Sequence, residues 1–299
     1  MDFQDPEDLV SAAQMIREAY LENAYSAPLS VKQQETLRND LVIGPLWVSK
    51  CPLPSSKDDT SRDALLRVVD DANVHQMWRR LIDAKVPYYR PASGPLNLEW
   101  VGFRSNVQED TPEPLVTEKE KFDKLTVETK SSSTVFYIYS GTQNTPSCYR
   151  KMVVNLSQAT GTKVMMVEQR LAPQNPFPAA LLDVFQAYLA LFYPPLGSHH
   201  KPTPASDIVI AADSSGGSLA LGFLQVLLQL QRREQAVTVH GTTIHPSWKS
   251  PIVPAGMALL SPICDASNAF PSMPCPQSCT CAHVSACAGV GKILGRSGM

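Results

Sequence analysis

The sequence carries no excess of positive charge. Lysine and arginine number 26 against 28 aspartates and glutamates, a formal net charge of −2, so bulk electrostatics cannot hold the chain on nucleic acid or an anionic bilayer. It also lacks an apolar run of the roughly 20 residues that a membrane span needs. The longest stretches, Ala179–Leu191 and Leu219–Leu230, are broken by Asp183 and Gln186 and by Gly222, Gln225 and Gln229. Those polar residues fall at helical spacing, which marks core helices. The opening MDFQDPEDLV lacks the basic and then apolar regions of a signal peptide. The seven cysteines are an odd number, which argues for reduced thiols rather than a disulfide framework. These absences lead to the expectation of a soluble, cytoplasmic protein with no membrane span and no nucleic-acid partner. What is present is apolar content, 43% of 299 residues, enough for a substantial core and too much for a wholly disordered chain. Prolines are abundant, at 25, and five of the seven cysteines fall after Ile263.

Residues 5–24 can form an amphipathic helix, and Asp63–Ala84 a second. Between them the prolines of residues 40–54 are expected to break any long element. Leu98–Phe103 reads as a strand, and the charged, proline-punctuated Asp110–Lys124 as a surface loop. From Ser133 the pattern changes. Thr134–Tyr139, Thr162–Val167, Asp207–Ala211 and Met257–Ser261 are short buried strands rich in β-branched, aromatic or aliphatic residues. Tyr149–Thr160, Pro178–Tyr193 and Ser215–Arg233 are the helices between them. Such alternation predicts right-handed crossovers and a doubly wound, mostly parallel sheet, an α/β fold.

The most informative stretch is IVIAADSSGGSLALG, residues 208–222, where a strand runs into a helix through a tight turn. A serine there projects its hydroxyl beyond the sheet edge, and the crossing backbones demand small residues two before and two after it. Ala212 and Gly216 meet that demand for Ser214; for Ser215 the residue two before is Asp213, a poorer fit. Ser214 is therefore the candidate nucleophile, with the Ser215 N–H as a donor to a developing oxyanion. The alternative is a serine that only caps the helix.

Two segments resemble the hormone-sensitive lipase family of α/β-hydrolases. VEQRLAPQNPFPAALLDVFQAYLAL, Val167–Leu191, is similar to that family's YRLAPE…PFPAALED stretch, and ADSSGGSLALG to its GDSAGGxLA elbow. The resemblance covers roughly residues 95–268. GPLWVSK and LEWVGFR are similar to the fungal esterase and steryl acetyl hydrolase branch. The resemblance implies an ester hydrolase acting on a small-molecule ester through an acyl-enzyme, with no cofactor and no metal. It places Ser214 on the nucleophile and Ser215 on one oxyanion N–H. The family's HGGG oxyanion loop falls on Tyr139, Ser140, Gly141 and Thr142, so one glycine of three survives, and Ser140 and Gly141 are its candidate residues. Arg170 and Asp183 fall in the family's structural segment and are read as scaffold.

The acid and base are not legible. In such folds both follow the serine. After Ser214 the sequence holds two carboxylates, Glu234 and Asp265, and three histidines, His240, His245 and His283. Glu234 comes too early, and Asp265 follows MALLSPICD one strand before the family's acid. His240 and His245 fall in a proline- and threonine-rich loop. The tail after residue 265 has two charged side chains, Lys292 and Arg296, and the spacing C-x₃-C-x-C-x-H-x₃-C over Cys275, Cys279, Cys281, His283 and Cys287. Without paired C-x₂-C knuckles it does not read as a zinc site. The resemblance ends near Met273. The expected division is a cap and lead-in at 1–95, a hydrolase core at 96–268 with its last strands missing or replaced, and a cysteine-rich tail at 269–299. That tail suggests a truncated or misread hydrolase. The competing reading is a catalytically dead homologue that binds rather than cleaves. Oligomeric state is left open.

Overall fold

The computed structural model describes residues 29–37, 39–55, 60–74, 88–140 and 145–263. The helix expected over residues 5–24 lies outside them. In chain order the elements that build the site are α1 (Leu29–Thr36), β1 (Leu46–Leu53), α2 (Ser61–Val74), β2 (Leu96–Phe103), α3 (Glu118–Glu128), β3 (Thr134–Ile138), α4 (Pro146–Thr160), β4 (Lys163–Val167), α5 (Ala179–Phe192), β5 (Ile208–Asp213), α6 (Ser214–Arg232), a short hairpin β6 (Val237–Val239) and β7 (Thr242–Ile244), and β8 (Gly256–Leu260).

Six strands form one sheet in the order β1-β2-β4-β3-β5-β8. β1 pairs antiparallel with β2, and β2 antiparallel with β4. The pairs β4–β3, β3–β5 and β5–β8 are parallel. Strands β3, β4 and β5 present apolar side chains to both faces, so their sequence reads as continuous apolar runs. Phe136, Ile138, Met165, Val167 and Ile210 pack with α2, α5 and α6 on one face. Val135, Tyr137, Val164, Met166 and Ala211 pack with Val153 and Val154 of α4 on the other. The period-2 alternation of strand side chains thus divides the core into two layers. From β3 the chain crosses to β4 on one side, then to β5 on the other. The crevice beyond the carboxyl ends of β3 and β5 is therefore the topological switch point, where open α/β sheets bind ligands.

The parallel strands and their helices match the sequence expectation to within three residues at each end. Before β3 two elements correct it. Residues 46–53 form β1 despite Pro52, because β1 is the sheet edge, where a missing N–H can face the unpaired side. Part of the expected loop over Asp110–Lys124 is helix α3. It opens with a capping box, in which Thr117 Oγ1 accepts from Glu120 N and Glu120 Oε2 accepts from Thr117 N. Its Phe122 and Leu125 are buried against the sheet.

Trp100 of β2 is fully buried, with Phe122 at 5.1 Å and the ring of His200 at 5.0 Å between centroids. His200 Nε2 donates to the Ala190 carbonyl at 3.0 Å, while Nδ1 is buried without a partner. Burial lowers the pKa of His200, and the nearby Lys163 and His199 act in the same direction; burial lowers that of His199 too. The sign follows directly. The unfolded chain takes up these protons near pH 6.5 before the folded one does. The stabilisation is therefore complete above that pH and is lost as pH falls through the lower folded values. Unfolding free energy is expected to drop on acidification from pH 7 to 5.5, by up to about 1.4 kcal/mol per pH unit from the buried His200 and by a smaller, solvent-screened amount from His199. Urea titrations at several pH values would show it, and His200→Gln is expected to flatten the dependence. A stability that rises over that interval would contradict the burial argument.

Candidate active site

Strand β5 delivers the chain to Ser214 at the carboxyl edge of the sheet, and α6 leaves immediately. Ser214 has φ of 50°, in the left-handed region that non-glycine residues seldom occupy. The turn is held from both sides. The Ser214 carbonyl accepts from Ile263 N at 3.1 Å, and Ser218 Oγ donates to the Ile263 carbonyl. Gly216 sits so close to the end of β3 that a Cβ there would lie 2.3 Å from the Ile138 carbonyl oxygen. Ala212 is fully buried. The demand for a small residue two after Ser214, inferred from sequence, is thus a physical contact between α6 and the end of β3.

Ser140 follows β3, and its Oγ lies 2.8 Å from Ser215 Oγ. One hydroxyl pair therefore ties the end of β3 to the first turn of α6. Gly141 and Thr142 lie outside the described residues. Tyr139, in the first position of the loop, is buried, and its carbonyl accepts from Gln169 Nε2 at 3.0 Å. Helix α1 spans this end of the sheet. Gln33 Nε2 donates to the Ala172 carbonyl at 2.5 Å, and Thr145 Oγ1 donates to the Thr36 carbonyl at 3.1 Å.

Arg170 and Asp183 form a structural pair. Asp183 is fully buried and accepts from Arg170 Nη2 at 2.7 Å, Arg170 Nε at 3.0 Å and the Arg170 backbone N–H at 2.7 Å. Arg170 Nη1 then reaches the Ala92 carbonyl at 2.9 Å. The bonds to Asp183 hold the segment after β4 to α5, and the bond to Ala92 ties it to the segment before β2.

Among the described residues, no histidine nitrogen or carboxylate is paired with the Ser214 hydroxyl. Helix α6 has 19 residues and is about 28 Å long at 1.5 Å per residue. Glu234, His240 and His245 follow its far end and stand at the opposite edge of the sheet. The stretch read as a loop there holds the β6–β7 hairpin, turned through His240 and Gly241 at φ of 48° and 76°. His199 Nδ1 lies 3.2 Å from Ser49 Oγ, and His200 is spent on Ala190. Asp213, next to the serine, is held by two tyrosines: Tyr137 donates to Oδ1 at 2.8 Å and Tyr149 to Oδ2 at 3.3 Å. Asp265, His283 and the tail cysteines lie outside the described residues. A cavity of about 430 Å³ elsewhere is lined by Lys50, Asn97, Glu99, Arg150 and Glu168 and includes none of the three serines.

A doubly wound, mostly parallel sheet with a serine on a strand-to-helix turn is the architecture of the α/β-hydrolases. This chain belongs to the alpha/beta hydrolase fold family, whose profile matches residues 135–287. That match runs past Met273, where the motif resemblance ends, and takes in Asp265 and His283. An esterase of Acinetobacter venetianus is 26% identical over 145 residues, 48% of this chain and 39% of that protein. An acetyl-hydrolase of Streptomyces hygroscopicus is 31% identical over 96 residues, 31% of this chain and 30% of that protein. The chain thus spans well under half the length of either of these curated relatives. A solved esterase from the bacterial hormone-sensitive lipase family aligns at 18% identity and TM-score 0.41, over 80% of this chain and 70% of that one. Among the described residues no helix is long and apolar enough to cross a membrane.

Proposed function

We propose that the chain is a carboxylic ester hydrolase in which Ser214 attacks the acyl carbon. The observation that carries this is the serine at φ of 50° between β5 and α6, with Ser140 of the β3 end bonded to its neighbour. Attack forms a tetrahedral adduct whose oxyanion accepts from the Ser215 N–H, with Ser140 and Gly141 forming the other wall. The alcohol leaves, and water then releases the acid from the acyl-serine. The names of the two curated relatives support a short acyl group. The Trp47 and Trp100 segments support the fungal esterase and steryl acetyl hydrolase branch. In this reading residues 1–95 are cap and lead-in, 96–268 the core and 269–299 a separate tail.

The proton acceptor is the open part. After residue 263 the sequence holds one carboxylate, Asp265, and one histidine, His283, and both stand inside the family match. The absence of a paired histidine at Ser214 among the described residues favours a second reading, an inert homologue that binds an ester without cleaving it. Hydrolysis of p-nitrophenyl butyrate across pH 5–9 separates the two. A histidine-assisted serine gives a rate that levels off above about pH 7 and disappears in Ser214→Ala. A rate that climbs about tenfold per pH unit with hydroxide, unchanged in Ser214→Ala, would establish the inert homologue.

A further inference from the structure

The two tyrosines on Asp213 take no part in the reaction above. Asp213 is the N-cap residue of α6, with ordinary extended backbone for that position, φ −127° and ψ 151°. An aspartate there usually folds its carboxylate back over the N–H groups of the first turn. Here it caps none of them. Its two oxygens instead accept from Tyr137 on β3 and Tyr149 on α4. Tyr137 is 1% exposed, and among the described residues its hydroxyl otherwise touches only Met152 Sδ, at 3.7 Å, a weak acceptor. A buried hydroxyl needs a partner, so the carboxylate is as necessary to Tyr137 as the reverse. Burial also raises the Tyr137 pKa, which keeps the phenol protonated and donating. Tyr149 is held in turn by its ring, 5.1 Å from Tyr139 and 6.0 Å from Tyr137 between centroids.

A capping Asp213 would place a full negative charge and two acceptor oxygens on the donors that a forming oxyanion needs. We infer that Tyr137 and Tyr149 are positioning residues that hold the Asp213 carboxylate off the first turn of α6 and leave its N–H groups open to an anion. What the anion is rests on the ester-hydrolase reading; the clamp itself rests on the geometry alone.

The test compares the native chain with Tyr149→Phe and with Tyr137→Phe/Tyr149→Phe, each with and without Asp213→Ala. Amide hydrogen exchange at Ser215 and Gly216, followed by NMR, reads capping directly. Protection is expected to rise about tenfold when both hydroxyls are removed, and to return to the native level when Asp213→Ala is added. Fluorophosphonate labelling is expected to slow about tenfold in the double tyrosine variant and to recover with Asp213→Ala. Unchanged exchange in the tyrosine variants would overturn the inference, as would protection that persists without Asp213. Tyr149→Phe alone, at a half-buried position, gives the same direction of change if the double variant does not fold. A native chain that never labels would end the hydrolase reading, while the exchange result would still decide the clamp.

Discussion

Ser214→Ala is expected to abolish covalent labelling by a fluorophosphonate, and Ser215→Ala to leave most of it. The two residues are neighbours, and only geometry separates them. Ser215 Oγ is committed to Ser140 Oγ at 2.8 Å. Ser214 is the residue at the positive-φ apex, beyond the end of β5. Its conformation costs on the order of 1–2 kcal/mol and persists because the Ile263 N–H and the close packing of Gly216 over-determine it. Alanine tolerates that conformation no worse than serine, so the melting temperature of Ser214→Ala is expected to stay near native. Labelling needs the hydroxyl, so its loss is total rather than partial. Intact-protein mass spectrometry would read both variants. Labelling that survives in Ser214→Ala and vanishes in Ser215→Ala would reassign the nucleophile.

Arg150→Met is expected to cost about 3–5 kcal/mol of stability. Arg150 of α4 and Glu99 of β2 are 5% and 6% exposed. They pair through Nε to Oε1 at 2.7 Å and Nη2 to Oε2 at 2.6 Å. The same guanidinium reaches the Asp40 carbonyl at 2.6 Å and Asn39 Oδ1 at 2.9 Å, so it also ties the segment before β1 to α4. Removing it leaves Glu99, 6% exposed on the wall of the 430 Å³ cavity, without its paired cation, and that uncompensated charge, rather than the lost bonds, dominates the cost. Glu99→Leu/Arg150→Met removes both charges and is expected to recover most of the loss. Urea midpoints of the single and double variants would measure the difference. Equal losses would show that the contacts to Asn39 and Asp40, not the stranded carboxylate, govern stability here.

Local signals carried the parallel part of the sheet. Thr134–Ile138 and Ile208–Asp213 are buried on both faces, so their apolar runs are continuous and conspicuous. The elbow was equally legible, because a strand meeting a helix within two residues permits only small side chains at Ala212 and Gly216. Arg170 and Asp183 were readable as scaffold and prove to be one ion pair around the buried Asp183 carboxylate. β1 was not legible. Pro45, Pro52 and Pro54 argue against a strand locally, and only its place at the sheet edge excuses Pro52. α3 was hidden by its charge, although Thr117 and Glu120 are a capping box that three-residue spacing could have found.

By itself the sequence determined the fold class and the strand-to-helix turn at Ser214, since both rest on contacts between residues near in the chain or on strict periodicity. Tertiary structure alone decided the rest of the site. It brought Ser140 to Ser215 across 75 positions and Tyr137 to Asp213 across 76. It also sent Glu234, His240 and His245 to the far end of α6. Proximity after the serine in sequence says little about proximity to it in space, because one helix of 19 residues carries the chain from one edge of the sheet to the other.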